Sequence, residues 1–278
     1  ERASLNIQMG KVDEALADYG KALAVNPQDP SLYANRAALM ILLNRDAEAA
    51  VDLAKALKLD PRHPHALYNR AAMLARGGKE DLAMAELDAI LVDFELASAD
   101  AYNARGTLLL KQQQFEKAIA DFTAALRMQP GNASAYMSRG GAKVALRDAQ
   151  GALGDYEQAI AINPSLIGPR TNRALLLLQM GRYQEALNEA DAAVGVDSQA
   201  VRPHLVRAQI CVAMGRLDDA MAEYDRVLEK NPNEAMTRLN RGEVETALGR
   251  MQAARVDLDA ACKLGLAQGC AKLAALPK

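Results

Sequence analysis

Shifted by 34 residues, the sequence lies on itself almost throughout, and that period constrains the fold more than any single motif. An alanine column runs through Ala15, Ala49, Ala83, Ala118, Ala152, Ala186, Ala220 and Ala254. Each step is 34 residues except Ala83 to Ala118, which is 35 and marks one residue inserted near LVDFELAS. Twelve residues before each alanine stands Ala3, Ala37, Ala71, Gly106, Gly140, Ala174, Ala208 or Gly242. Seven residues after come Ala22, Ala56, Ile90, Ala125, Ala159, Ala193, Val227 and Ala261. Bulky side chains fall between, at Tyr19, Leu53, Leu87, Phe122, Tyr156, Tyr224 and Leu258. A period of this length marks a supersecondary unit that cannot bury its apolar face alone and must stack on copies of itself.

The unit reads as a helical hairpin. Five residues before each column alanine stands Gly10, Asn44, Gly78, Gln113, Arg147, Gly181, Gly215 or Gly249. The glycines and the asparagine suit the left-handed residue that ends a helix. Pro27, Pro61, Pro130, Pro164 and Pro232 stand where a second helix must stop. Small residues let the backbones approach, and the bulky ones fill the remaining gap.

In its period and columns the chain resembles the tetratricopeptide repeat: small at position 8, alanine at 20, an aromatic residue or leucine at 24, alanine at 27, proline at 32. The resemblance covers essentially the whole chain. It implies an all-α, right-handed superhelical solenoid of antiparallel helix pairs. A truncated first repeat (1–29) is followed by repeats at 30–63, 64–98, 99–132, 133–166, 167–200, 201–234 and 235–268, and a capping helix spans 268–276. The first repeat lacks the start of its first helix, the third carries the insertion, and the sixth has Ala190 where an aromatic residue is usual. The resemblance also implies a concave groove lined by the first helix of each pair.

An arginine occupies position 7 in every repeat: Arg2, Arg36, Arg70, Arg105, Arg139, Arg173, Arg207 and Arg241. Sixteen residues after each comes an acid: Asp18, Asp52, Glu86, Asp121, Asp155, Glu189, Glu223 and Asp257. At 1.5 Å per residue both members sit roughly 12 Å from the hairpin turn on antiparallel helices, so they can face each other. The arginines are therefore expected to be structural ion-pair partners rather than a row of phosphate- or acid-binding groups.

Asn35, Asn69, Asn172 and Asn240 at position 6, with Asn103 beside them in register, are candidate polar anchors of the groove. Some members of the family use such asparagines with lysines and arginines to clamp a partner's terminal carboxylate. Here the groove positions carry little positive charge beyond Arg76 and Lys111. Leu42, Tyr68, Met137, Val144, Leu175, Leu178 and Leu239 give those positions an apolar character. Two readings follow: an apolar strip that holds a peptide or amphipathic helix of another protein, or side chains that pack against neighbouring repeats. A segment of the chain's own N-terminal side could also occupy the groove. The alternatives to groove binding are an assembly scaffold acting through self-association or its convex face, and the interaction part of a longer protein.

The C-terminal ACKLGLAQGC resembles the Sel1-like cysteine-rich repeats of secreted bacterial proteins. That resemblance implies a Cys262–Cys270 disulfide and a periplasmic or extracellular location. Two reduced cysteines in a cytoplasmic protein are the alternative. In the chain-entropy picture so short a loop gains ~2.5 kcal/mol from closure. Cys211, on a first helix among apolar residues, is expected to be a core residue.

Other functions find little support. The net charge of -2 and the absence of tryptophan argue against a nucleic-acid surface. No run approaches the eighteen or so apolar residues of a membrane span. His63 and His65 in RHPH read as solvated loop residues, and His204 lies on a first helix with no ligand cluster near it in sequence. No catalytic motif, metal site or cofactor is expected.

Overall fold

The computed structural model describes residues 11–93 and 97–277. Arg2, Ala3, Gly10 and the centre of the insertion lie outside the described residues. Among those described there are sixteen α-helices and no strand. α1 (Val12–Val25) is the second helix of the first repeat. Seven hairpins follow: α2 (Pro30–Leu42) with α3 (Asp46–Leu59), α4 (Pro64–Arg76) with α5 (Glu80–Val92), α6 (Ala99–Lys111) with α7 (Phe115–Met128), α8 (Ala133–Ala145) with α9 (Ala149–Ile162), α10 (Ile167–Gln179) with α11 (Tyr183–Val196), α12 (Val201–Ala213) with α13 (Leu217–Lys230), and α14 (Ala235–Ala247) with α15 (Met251–Lys263). A final helix, α16, spans Ala267–Ala275.

The chain divides into two compact units, Glu1–Ala142 and Lys143–Lys278, with the division inside α8. In the first unit α2 packs on α3, α4 on α5 and α6 on α7, and the second helices α1, α3 and α5 pack on the first helices α2, α4 and α6 that follow them. In the second unit α10–α11, α12–α13 and α14–α15 repeat the arrangement, and α16 packs on α15. First helices also touch each other across repeats, α2 with α4, α4 with α6, and α10 with α12. Among the described residues second helices make no comparable contact. Helices that approach each other are on the inside of a curve, so within each unit the first helices form the inner face and the second helices the outer one.

The columns explain this packing. Ala37, Ala71, Ala174 and Ala208 at position 8 are fully buried, as are the alanines of position 20 from Ala15 to Ala254. Where position 8 is glycine, a large side chain is pressed against it. A Cβ at Gly106 would lie 3.0 Å from the Phe122 ring, and one at Gly242 would lie 2.9 Å from Leu258. Phe122, Tyr224, Leu53, Leu87 and Leu258 are the large buried side chains of the stack. Truncating one to alanine costs about 3–5 kcal/mol.

Each hairpin turns through one motif. Asn44, Gly78, Gln113, Arg147, Gly181, Gly215 and Gly249 all have φ between 59 and 74°. The next amide closes back on the helix, Arg45 N–H to the Met40 carbonyl at 2.9 Å and Arg250 N–H to the Glu245 carbonyl at 2.8 Å. This is the Schellman closure that satisfies the last carbonyls of a helix. Four of the first helices are capped from the preceding residue, by Asp29, His63, Ser98 and Glu234, whose side chains accept from backbone amides of the first turn, whereas Leu166 and Ala200 offer α10 and α12 no such bond.

Candidate functional site

The position-7 arginines hold the hairpins together. The Arg36 guanidinium donates to Asp52 at 2.6 and 2.8 Å, and Arg105 reaches Asp121 at 2.7 and 2.8 Å. Arg70 meets Glu86 at 2.7 Å, Arg173 meets Glu189 at 2.6 Å, Arg207 meets Glu223 at 2.6 Å and Arg241 meets Asp257 at 2.5 Å. The acids are mostly buried, with Asp52, Asp121, Glu223 and Asp257 at 5% exposure or less. Asp155 takes the Lys143 ammonium at 2.8 Å, while Arg139 donates to the Thr123 hydroxyl at 3.1 Å.

The same arginines also reach backwards. Arg105 bonds Asp88 at 2.9 Å, Arg207 bonds Asp191 at 3.0 Å and Arg241 bonds Asp225 at 2.6 Å, each acid standing on the second helix of the preceding repeat. The column therefore joins repeat to repeat as well as helix to helix, which the sixteen-residue spacing alone does not reveal. Position 4 adds a further member. Arg170, His204 and Arg238 lie 3.7, 2.6 and 2.8 Å from Glu189, Glu223 and Asp257. The signal was present as an arginine or histidine nineteen residues before each of these acids. In the first unit the same position holds Tyr33, Leu67, Tyr102 and Tyr136, and the Arg105 guanidinium sits 5.9 Å from the Tyr102 ring centre.

These bonds set the charges. Hydrogen bonds to Asp121 and Asp257 push the Arg105 and Arg241 guanidinium groups above their ordinary range against the effect of burial. At Glu223 burial pushes the carboxyl up, but the bonds from Arg207 and His204 outweigh it and hold the group below the usual carboxylate range. The ladder is thus ionised and internally neutralised, and it leaves little free charge for a ligand.

The inner face carries the remaining candidates. Tyr68, Met137, Val144, Leu175 and Leu178 are half-buried, and Leu42 is 75% exposed. Leu239 departs from expectation: it is buried against Leu258 and Ala261 and offers no surface, because the last repeat is covered by α16. Among the asparagines, Asn35 is exposed. Asn69 donates to the Ala34 carbonyl of the preceding repeat at 3.2 Å. Asn172 accepts from Arg202 at 2.9 Å. Asn103 Oδ1 is buried without a protein donor. Asn240 lines a cleft of ≈ 290 Å³ with Gln209, Val212, Leu217, Tyr224 and Val244. The two groove cations are taken: Arg76 bonds the Ile41 carbonyl, Asn44 and Asp46, and Lys111 pairs with Glu80 at 3.0 Å.

His63 corrects the expectation of a solvated residue, whereas His65 is exposed. His63 is buried, accepts from the Ala66 amide at 3.3 Å through Nδ1, and sits 3.1 Å from Ser31 Oγ through Nε2. It is a helix cap that also ties two repeats. Cys262 and Cys270 form a disulfide, and Cys211 is free and buried. Among the described residues no group of three or more metal-binding side chains converges, and no helix is long and apolar enough to cross a membrane.

Comparison with known proteins agrees with this geometry. Sequence profiles described as tetratricopeptide repeat match residues 44–101, 103–167 and 177–241, and a TPR repeat profile matches residues 5–44. No curated protein sequence matches the chain. Among solved structures, a tetratricopeptide repeat protein from Parabacteroides merdae is 20% identical, with 87% of this chain and 96% of that one covered and a TM-score of 0.65. Pseudomonas aeruginosa pilF is 19% identical, with 78% and 97% covered and a TM-score of 0.68. A chain of the APC/C hetero-tetramer Cut9–Hcn1 is 14% identical with a TM-score of 0.75; the match covers 87% of this chain but only about half, 48%, of that one. At these identities the likeness is one of fold. The profiles, the left-handed hairpin turns and the arginine–acid ladder together make this chain a member of the tetratricopeptide repeat family.

Proposed function

We propose that the protein binds a peptide or amphipathic helix of a partner protein on the inner face of its first helices. The tetratricopeptide fold is a protein–protein interaction scaffold, and this reading specifies which surface of the scaffold is used. The observation that carries it is the contrast between two faces of the same helices. Toward the second helices the charged column is consumed in ion pairs. Toward the inner face the side chains are mostly uncharged, and among the described residues the charged ones near it, Arg76, Lys111, Arg202 and Glu243, are engaged within the protein. A surface of that kind favours apolar anchors over phosphate or acidic groups. Asn35 and Asn103 supply polar contacts at its floor. The Cys262–Cys270 disulfide supports an oxidising compartment, the periplasm or the exterior of a bacterial cell.

The test is affinity capture from the source cell's extract with the parent protein, Met137→Glu and Leu178→Glu, each checked for unchanged helicity. A charge on the inner face is expected to abolish capture of the specific partner. Equal capture by parent and variants would move the site off this face.

A further inference from the structure

Position 4 of the repeat makes one tie with three different side chains. Tyr33 donates its hydroxyl to the Pro27 carbonyl at 3.2 Å, and Arg238 donates Nε–H to the Pro232 carbonyl at 2.7 Å. His204 Nε2 lies 3.0 Å from the Ser198 carbonyl. In each case the carbonyl stands six residues earlier, in the loop that ends the preceding repeat. Arg238 gives a second donor to Asp257 at 2.8 Å, nineteen residues on, and His204 Nδ1 meets Glu223 at 2.6 Å in the same register. His204 therefore occupies the place of a double donor.

Both partners of the His204 ring can only accept. Ser198 offers a backbone carbonyl. Burial pushes the Glu223 carboxyl up, but the bonds from Arg207 and His204 outweigh it and keep the group ionised. A neutral imidazole has one N–H, so the two contacts together require the imidazolium. The ring is 6% exposed, and either contact, once lost, leaves a largely buried polar atom without its partner. Arg207 from α12 and Arg226, Glu229 and Lys230 from α13 share its cleft of ≈ 440 Å³. Arg207 and Arg226 both bond Glu223, and Lys230 bonds the Gln199 carbonyl. Asp191 of α11 meets Arg207, and Asp197 accepts from the Gln199 amide at 2.7 Å. Neither α10, which packs on α12, nor α14, which packs on α13, brings a side chain into the cleft.

We infer that His204 is a pH-sensitive rung: protonated, it ties the loop 197–200 to the seventh repeat through both ring nitrogens, and deprotonated, it lets that loop go. The proton that leaves is the one on Nε2. Nδ1 keeps its hydrogen because a bond to a carboxylate is stronger than one to a neutral carbonyl. The bare Nε2 then faces the lone pairs of the Ser198 oxygen, and the contact becomes repulsive. Repeats six and eight place Arg170 and Arg238 at this position, and arginine keeps its charge throughout. Histidine changes charge between about pH 5 and 8, so of these three side chains only His204 can open its tie with pH. The tie is complete in acid and is lost as pH rises. The loop it holds connects the sixth repeat to the seventh, so deprotonation loosens the joint between them, whichever face binds a partner.

The experiment compares the parent protein, His204→Arg and His204→Leu at pH 5 and pH 8. Leucine is what the third repeat carries at this position, as Leu67. Nitrogen NMR of labelled histidine rings reports the protonation of His204, whose resonances are those missing from the arginine variant. Amide hydrogen exchange at Gln199 and Ala200, corrected for the intrinsic effect of pH, reports the loop, with α14 and α15 as the control for intact folding. The parent is expected to show both ring nitrogens protonated at pH 5 and Nε2 bare at pH 8. Its loop amides should exchange about tenfold faster at pH 8. His204→Arg should keep the slow rate, and His204→Leu the fast rate, at both pH values. A ring with the same protonation at pH 5 and pH 8 would overturn the switch. A ring that titrates while Gln199 and Ala200 exchange alike in all three proteins would overturn its hold on the loop.

Discussion

At the residue scale the protein shows how much a buried charge depends on its partners. Asp257 is 1% exposed yet comfortable, because Arg238 and Arg241 both reach it. Glu245, one helix away, is 6% exposed with Oε2 unpartnered. It stands where five other repeats place Met40, Leu74, Leu109, Leu177 and Cys211, and one places Lys143, which is paired with Asp155. Burial, with Asp257 adding to it, pushes its carboxyl above the ordinary range. A raised carboxyl contributes stability that is fully present below the unfolded value of about 4.3 and is lost as pH rises through the folded value. Glu245→Leu is therefore expected to stabilise the protein by about 1–3 kcal/mol at neutral pH. Its advantage should shrink as the medium is acidified toward pH 4. Urea denaturation at both pH values reads the effect; a destabilised variant at neutral pH would show that Glu245 is satisfied after all.

At the scale of elements the turns and caps carry the specificity. Arg147 holds φ +63° without being glycine, a conformation that costs an L-residue about 1–2 kcal/mol. Arg147→Gly should accordingly stabilise its hairpin by up to ~1 kcal/mol, whereas Gly249→Ala, at φ +73°, should destabilise its own by a similar amount. Thermal midpoints of the two variants check the opposite signs. His63 is a second case. Burial pushes its imidazole below the ordinary value, with His65 acting the same way and Asp60 and Asp29 opposing. Its Nδ1 must be unprotonated to accept from the Ala66 amide. A depressed histidine contributes stability present above the unfolded value near 6.5 and lost as pH falls through the folded one. Acidification from pH 7 to 5 should loosen the start of α4 by ~1 kcal/mol, the worth of a cap. His63→Asn, which caps without titrating, should remove that dependence when α4 amide exchange is compared at the two pH values.

These elements also mark how far the sequence was legible. Hairpins, turn residues and the small-residue columns were readable because each leaves a residue at every 34th position, and eight copies average out local exceptions. The pairing of Arg36 with Asp52 could be proposed from helix rise alone. The backward bonds from Arg207 to Asp191 and from Arg241 to Asp225 could not, since they depend on how one repeat sits on the next. His63 looked solvated because RHPH is a loop in sequence, while in the structure it is buried at the start of α4 and in contact with Ser31 at the start of α2. Leu239 looked like groove lining because it shares a column with Tyr68 and Met137. Its burial follows from α16; that helix was expected at 268–276, but the period does not say which inner-face residues it covers.

For the whole molecule, the proposed division of labour is between a neutralised ladder that builds the stack and a mostly uncharged inner face that binds a partner. In a solenoid each repeat touches only its neighbours, so inner and outer surfaces can be altered separately with little effect on remote repeats. This makes the account's central claim directly testable by site-specific photo-crosslinking in the source cell. A photoreactive residue would replace Leu42 or Val212 on first helices, 75% and 38% exposed, and in parallel Val51, Leu82 or Val256 on second helices, 55%, 56% and 65% exposed. The account predicts a crosslinked partner protein from Leu42 and Val212, and none from the three outer positions. Crosslinks confined to the outer positions would contradict it and place the interaction on the opposite side of each hairpin.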